Sequence, residues 1–261
     1  DSAEIRPSAA AAIIDMDSGS SDKATNILDE ALQSSDELTK SKALKRLEIN
    51  EDILPDTKLE IFLKEENILT SNAALLVAEK RKKETLLPAI ITNLGNSKTF
   101  LQARQALQSF DEETVIENFT NILSNSDLGR HKRRGIIKAL KDYPASNLLL
   151  NQLDETDQGI YNETVDSLLV RARAEELDEK RLEIISSEIQ KVARKLYALH
   201  VCKKLLPEND KKLLIIDHLN NEIQNTLPSL LKLGVMSKPN TPIETYIQII
   251  KSGDPAKLPF L

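Results

Sequence analysis

The sequence predicts an all-α protein: an α-α superhelix in which helix pairs stack as a right-handed solenoid, closed by longer C-terminal helices. Two ladders of apolar residues predict it. An Ala followed by a large aliphatic residue recurs at steps of 31, 31, 32 and 33 residues: Ala12-Ile13, Ala43-Leu44, Ala74-Leu75, Ala106-Leu107 and Ala139-Leu140. Leucines recur between these positions at steps of 31, 31, 29 and 30: Leu32, Leu63, Leu94, Leu123 and Leu153. Two apolar positions per thirty-odd residues indicate two helices per repeat.

The composition favours the same fold class. Apolar residues make up 40% of the 261 residues, but aromatic residues only 3%, with no Trp. The core must therefore consist of Leu, Ile, Ala and Val, which suits closely packed helices. Seven glycines leave few tight turns for β-hairpins, and 29% charged residues fit a large helical surface.

Turn residues divide the first part of the chain into helix pairs. Within the predicted helices the apolar spacing is helical, as at Ala103, Ala106, Leu107 and Phe110. Small Ala side chains at the contact positions let neighbouring helix axes approach closely. After a helix over 4–16, the predicted pairs are 22–34 with 37–49, 55–63 with 71–83, 86–94 with 100–110, 113–123 with 130–143, and 146–153 with 160–174.

The repeat period ends near residue 176, where longer helices begin. Apolar residues at alternating spacings of three and four predict one helix from 182 to 199, and a second long stretch covers 209–233. Pro228 predicts a kink or break in that stretch, and Gly234 its end. A linker over 237–242 and a final helix over 243–251 follow. We therefore expect helical repeats in 1–175 and, in 176–261, a cap that continues the same solenoid.

Charge and apolar content exclude several classes of function. The net charge of −6 and the scarcity of aromatic side chains argue against nucleic-acid binding. The longest stretch without charged residues is 13 residues, whereas a membrane-spanning helix needs about 20. The single Cys202 allows no intrachain disulfide, and its apolar surroundings predict a buried thiol. Both chain ends resemble cut sites, so we expect a piece of a longer protein.

A search for catalytic motifs gives no candidate catalytic residue, metal site or cofactor. The glycines are isolated, so no phosphate-binding loop is predicted. His131, His200 and His218 are 69 and 18 residues apart and lack the spacing of metal ligands. Paired carboxylates lie at predicted helix ends, where the helix dipole explains several of them.

The one candidate binding site is a basic cluster at the start of a predicted second helix: Arg130, His131, Lys132, Arg133 and Arg134. As a binding site, the basic cluster would attract an anion: a nucleotide phosphate, a lipid headgroup or an acidic segment of a partner. The alternative is a solvent-facing helix surface with Arg133 bonded to the preceding turn at Asp127.

The helix pairs resemble HEAT repeats. That family often places an Asp in the turn between its helices and a basic residue about six positions later. Asp36 with Lys42 and Asp127 with Arg133 fit this pattern, whereas Asp157 with Glu163 departs from it. The resemblance implies a stacked solenoid whose second helices line the concave face.

A narrower resemblance rests on Leu86 to Leu94, Ala103 to Leu107, and the C-terminal run from Ile215 to Leu261. These segments look like the HEAT-repeat region fused behind bacterial ADP/ATP carrier-like membrane transporters of the major-facilitator type. The resemblance implies a non-catalytic scaffold or regulatory domain on the cytoplasmic side of the bacterial inner membrane, attached through a preceding membrane-spanning region. Its partner would be another protein or the transporter's own membrane domain, with weak nucleotide or anionic lipid contact.

Two alternative functions remain open from the sequence. The first is a free-standing HEAT adaptor that binds a protein partner. The second is a repeat enzyme, such as a lyase or a DNA glycosylase. The acidic balance and the low aromatic content argue against the glycosylase.

Overall fold

A computed structural model describes residues 7–10, 12, 22–47, 51–125, 127–175, 177–206, 213–237, 243–252 and 254. These residues form helices joined by turns, with no strand among them, which confirms the predicted all-α class. The chain divides into two compact units, residues 1–139 and residues 140–261. The predicted repeat boundary at residue 175 stays a prediction.

In unit 1, the first and second helices of the predicted pairs alternate along the chain. Their ends lie within a few residues of the predicted bounds. Residues 7–10 and 12 are also helical, whereas the rest of the predicted helix over 4–16 lies outside the described residues. Short 3-10 turns, Glu84–Leu86 and Asn93–Gly95, flank α5. The helices are α1 (Asp22–Leu32), α2 (Glu37–Arg46), α3 (Asp56–Leu63), α4 (Ile68–Arg81), α5 (Leu87–Thr92), α6 (Phe100–Leu107), α7 (Glu112–Leu123) and α8 (Arg130–Leu140).

Helices of the same kind pack on one another in unit 1. We call α1, α3, α5 and α7 the first helices, and α2, α4, α6 and α8 the second helices. Among the second helices, α2 packs on α4 and α4 on α6. Among the first helices, α3 packs on α5 and α5 on α7, and Lys58 bridges to Asp29 of α1 at 2.8 Å. Each helix pair therefore contributes one member to each set.

The two predicted ladders lie in the core. Four of the five ladder alanines are fully buried together with the leucines that follow them, at 43–44, 74–75, 106–107 and 139–140. Leu32, Leu63, Leu94, Leu123 and Leu153 are buried as well. Each buried Leu side chain contributes about 1.5–3 kcal/mol of transfer free energy. Ala12 is the exception, because its side chain is exposed.

Polar side chains fix where successive second helices begin. The carboxylate of Asp36 accepts hydrogen bonds from the Thr39 hydroxyl and, at 3.0 Å, from the Thr39 backbone N–H. These bonds hold the pKa of Asp36 below its ordinary value. Asn67 caps α4 in the same manner through the backbone N–H groups of Leu69 and Thr70. The two caps therefore set equivalent starting points for α2 and α4, whereas α6 begins without a side-chain cap.

Arg81 ties one pair to the next through backbone carbonyls. Its side chain is almost fully buried, and its guanidinium donates to the carbonyls of Leu47 at 3.1 Å and Leu54 at 2.6 Å. It also bridges to Asp56 at 3.2 Å. Arg81, within the basic run Lys80 to Lys83, is therefore a structural residue: it satisfies the Leu47 carbonyl at the end of α2 and the Leu54 carbonyl in the turn before α3.

Two glycines, Gly95 and Gly135, let α8 pack closely against the turn between α5 and α6. A Cβ atom placed on Gly135 would lie 2.0 Å from the carbonyl oxygen of Leu94. A Cβ atom on Gly95 would lie 2.8 Å from Cγ of Lys132. Ile136 and Ile137, beside Gly135, are buried, so α8 presses its apolar face against the turn that precedes α6. This packing orients the rest of α8, including the basic cluster.

Unit 2 combines one short helix with longer ones. Its described helices are α9 (Ser146–Leu150), α10 (Gln158–Ala174), α11 (Glu179–Leu205), α12 (Leu213–Met236) and α13 (Ile243–Ser252). At 27 and 24 residues, α11 and α12 are the long helices that the sequence predicts. Still, no helix in the described part of the chain is long and apolar enough to cross a membrane.

Side-chain bonds connect the helices of unit 2. Glu175, at the end of α10, accepts a hydrogen bond from Ser146 of α9 and one from Arg171 at 2.8 Å. Ser229 of α12 donates to Asn162 of α10 at 3.0 Å, and α11 packs on both α12 and α13. Thus α10, α11 and α12 form the centre of the unit.

Of the kink or break predicted at Pro228, the break is wrong, because α12 runs continuously through the proline to Met236, two residues beyond Gly234. The kink stays a prediction. A proline inside a helix costs roughly 3 kcal/mol, because it leaves the carbonyl four residues earlier without its N–H donor and its ring crowds that carbonyl. Here Pro228 and Gln224, the owner of that carbonyl, are both exposed, so water can satisfy it. Leu230 and Leu233 are fully buried and hold the helix together. The predicted linker lies almost wholly outside the described residues.

We predict that Gly135→Ala lowers the free energy of unfolding by about 3 kcal/mol, because the new methyl group would overlap the Leu94 carbonyl. Chemical denaturation monitored by circular dichroism measures the change. Gly129→Ala is the matched control, since nothing lies within 4 Å of a Cβ atom there. Equal stability of Gly135→Ala and wild type would show that α8 does not pack this closely.

Candidate anion or partner site

The structure divides the predicted basic cluster into side chains with different surroundings. Arg133 is half-buried and donates to two carbonyls at the end of α7, Leu123 at 3.3 Å and Asn125 at 3.0 Å. In this way it repeats the role of Arg81. The turn itself is held by the Asn125 side chain, which accepts from the backbone N–H of Asp127 at 2.9 Å. Arg133 therefore has a structural function in this turn.

The rest of the basic cluster faces outward. Arg130, His131, Lys132 and Arg134 are all exposed, although the stem of Lys132 lies against Gly95. Arg130 and Arg134 are four residues apart on α8 and so share one face of the helix.

Lys138, one turn further along α8, extends that face. Its ammonium group lies 4.9 Å from the centre of the Phe100 ring, a distance at which a cation and an aromatic face attract. Arg130, Arg134 and Lys138 therefore form one positive stripe along α8.

The position of the basic cluster at a helix start is electrostatically unfavourable. The N-terminal end of a helix carries partial positive charge, and cations there cost about 0.3–1 kcal/mol each at exposed sites. The first turn of α8 holds Arg130, His131 and Lys132 and no acidic residue. An anion placed there would be attracted by the cationic side chains and by the partial positive charge of the helix end together. The arrangement thus favours an anionic partner group.

A second group of ionisable side chains, which the sequence analysis missed, lies in unit 2. The Tyr161 hydroxyl of α10 donates to the carboxylate of Glu188 of α11 at 3.0 Å. Lys191 bridges to Glu188 at 3.3 Å and to Asp154 at 3.2 Å. Burial raises the pKa of both Tyr161 and Glu188. Glu188 lies on the apolar stripe of α11, three residues after Ile185, and this was the sequence signal that could have revealed it.

The Tyr161–Glu188 pair is better explained by packing than by chemistry. Its two side chains are buried, at 8% and 7% exposure. The pair joins α10 to α11, whose apolar residues surround it. Perturbed ionisable groups are also found at active sites, but here each polar group is satisfied by its neighbour. We therefore treat the pair as a structural connection.

The three histidines and Cys202 differ in their surroundings. His131 and His218 are exposed. Burial lowers the pKa of His200, as do the nearby charges of Lys203 and Lys204. Cys202 is exposed on α11, so the predicted buried thiol is wrong. The apolar stripe of α11 buries Leu196 and Tyr197 but turns away before residue 202.

The described residues contain no group of three or more His, Cys, Asp or Glu side chains that could hold a metal ion. No protein-family model matches the chain, and no curated protein matches it in sequence.

We predict that inorganic polyphosphate raises the melting temperature of the wild-type chain through the exposed part of the basic cluster. Arg130→Ala/Arg134→Ala should lose most of that shift, and added salt should weaken it, because the attraction is electrostatic. Thermal-shift titration measures both effects. The matched control is Lys180→Ala/Arg194→Ala, which removes two exposed cations from α11. Equal shifts in both variants would eliminate the site. Arg133 is left intact because its loss would remove the two hydrogen bonds to the carbonyls of Leu123 and Asn125.

We predict that Glu188→Gln gains stability relative to wild type as the pH rises. The raised pKa means that the folded chain binds this proton more tightly than the unfolded chain. The stability that this bound proton gives the folded wild type is fully present below the ordinary pKa of 4.5, and it is lost as the pH rises through the raised pKa of the folded chain. Unfolding free energies between about pH 4 and pH 7 measure the trend. Glu183→Gln, exposed on the same helix, is the control, and an equal trend there would contradict the assignment.

Proposed function

We propose that the chain is a non-catalytic helical-repeat scaffold or regulatory domain, a HEAT-like solenoid that acts by binding another protein. The observation that carries the proposal is the equivalence of successive second helices in unit 1. They share buried Ala-Leu positions at the repeat interval, and α2 and α4 share N-caps. Stacked repeats of this kind build extended surfaces from nearest-neighbour contacts.

Close packing supports a binding surface made by the second helices. Fully buried alanines at their contacts let helix axes lie about 8–10 Å apart. Hydrogen bonds between the second helices fix their register. Glu37 of α2 accepts from Thr70 of α4, and Glu79 of α4 accepts from Gln102 of α6 at 3.2 Å. Side chains at equivalent positions thus form rows that cross several helices.

The resemblance to transporter-fused HEAT regions adds a specific form of the proposal. The chain would then follow the membrane part of a bacterial ADP/ATP carrier-like protein and contact that membrane domain. The alternative is a free-standing adaptor. The gene upstream of Asp1 separates them, because a carrier would encode about a dozen apolar segments of about 20 residues each.

The scaffold proposal predicts that partner contacts concentrate on the second helices. A photo-crosslinking amino acid in place of Leu101 on α6 should form an adduct with a defined protein in cells of the source organism. The same group in place of Ile61, which is 63% exposed on the first helix α3, should not. Mass spectrometry of the adducts identifies the partner. Absence of adducts from both positions, or the same adducts from both, would overturn the proposal.

A further inference from the structure

Charge is divided unequally between the two sets of helices in unit 1. The four second helices carry twelve Lys or Arg and two Asp or Glu. The four first helices carry two Lys or Arg and eight Asp or Glu. The chain as a whole has a net charge of −6, so this basic surface is a local feature that the overall composition conceals.

Some of these cations already have structural partners. Lys40 bridges to Glu37 and Glu65, and Arg81 and Arg133 bind backbone carbonyls. Even without these three residues, Lys and Arg outnumber Asp and Glu in the second helices.

A row of exposed leucines crosses the same helices. Leu38, Leu69 and Leu101, which we call the leucine row, each lie five residues before a ladder alanine. They are 41%, 52% and 72% exposed. Arg134 occupies the equivalent position on α8, five residues before Ala139. Because α2 packs on α4 and α4 on α6, the three leucines belong to adjoining helices.

The exposed cations lie on the same face as the leucine row. Lys45 is seven residues after Leu38, and Lys80 is eleven residues after Leu69, so each returns to the side of its leucine. On α8, Arg130 and Lys138 lie four residues before and after Arg134. All of these cations are exposed. The face therefore presents apolar contacts bordered by positive charge.

We propose that this face docks an acidic segment of a partner protein through the leucine row and the surrounding cations. The proposal rests on the scaffold function proposed above and specifies the chemistry of the partner. Neighbouring helices lie about 8–10 Å apart. An amphipathic helix spans about 10.5 Å in seven residues, so leucines at heptad spacing can meet successive members of the row. Glutamates between them would face the cations.

A protein segment fits this face better than a nucleic acid. Exposed aliphatic side chains find no apolar partner on a phosphate backbone. Single-stranded nucleic acids also need aromatic stacking platforms. The only aromatic residue in the second helices is Phe100, which is buried and has the Lys138 ammonium over its ring.

The test uses a synthetic helical peptide of about three heptads, with Leu at every seventh position and Glu at most others. Fluorescence anisotropy with the full chain should show binding that weakens with added salt. Leu38→Ser/Leu69→Ser/Leu101→Ser should weaken it by about tenfold or more, because apolar burial is lost. The control variant is Ile61→Ser/Leu205→Ser/Leu214→Ser, which removes three exposed aliphatic side chains elsewhere and should bind like wild type.

Three results would overturn the docking proposal. The first is no binding, and the second is equal binding of a peptide with Ser in place of Leu, which would leave only charge attraction. The third is tighter binding of single-stranded RNA, or of vesicles containing phosphatidylserine, that the same variants abolish. If adducts form at position 101 but the acidic peptide fails, the scaffold function stands and the proposed partner chemistry is wrong. If no adduct forms at position 101 and the acidic peptide does not bind, both proposals fail.

Discussion

The close approach of neighbouring helices, made possible by small buried residues, is the constraint on which unit 1 depends. Fully buried alanines at 43, 74, 106 and 139 leave room for the next helix, and Gly135 lets α8 reach the carbonyl of Leu94. Larger residues at these positions would separate the axes and expose the leucines between them. Since each pair buries its apolar faces against the next, the loss would spread along the unit. The same spacing brings the exposed side chains of successive second helices into rows.

The arginines of unit 1 include two groups with different surroundings: some bind backbone carbonyls, and others are exposed. Arg81 and Arg133 donate hydrogen bonds to backbone carbonyls at helix ends and in the turns that follow them. Arg130 and Arg134 remain at the surface. A positive cluster therefore cannot be interpreted as one site, because a single guanidinium within it can belong to the packing.

In unit 2, a buried pair of ionisable side chains, Tyr161 and Glu188, connects α10 to α11. Its long helices bury Glu188 among apolar residues, and the Tyr161 hydroxyl and Lys191 compensate for the lost hydration. The pair fixes α10 against α11. Ser229 donates to Asn162 of α10 just after Pro228, and Glu222 bridges to Lys195 of α11 at 3.6 Å before it, so α12 is held on both sides of the proline. Tertiary packing here keeps a helix continuous where local propensity predicts a break.

The amino-acid sequence by itself determined the helical class, the helix pairs and the buried ladders. Those features follow from local spacing, because a residue's place in a helix fixes which face it shares with residues three and four positions away. The sequence also predicted the basic cluster, Arg130 to Arg134, as the candidate site. Only the tertiary structure decided which of its side chains face outward and that Cys202 is exposed. It also brought the leucine row together across helices about thirty residues apart. These outcomes depend on contacts between distant segments, and no spacing within one segment encodes them.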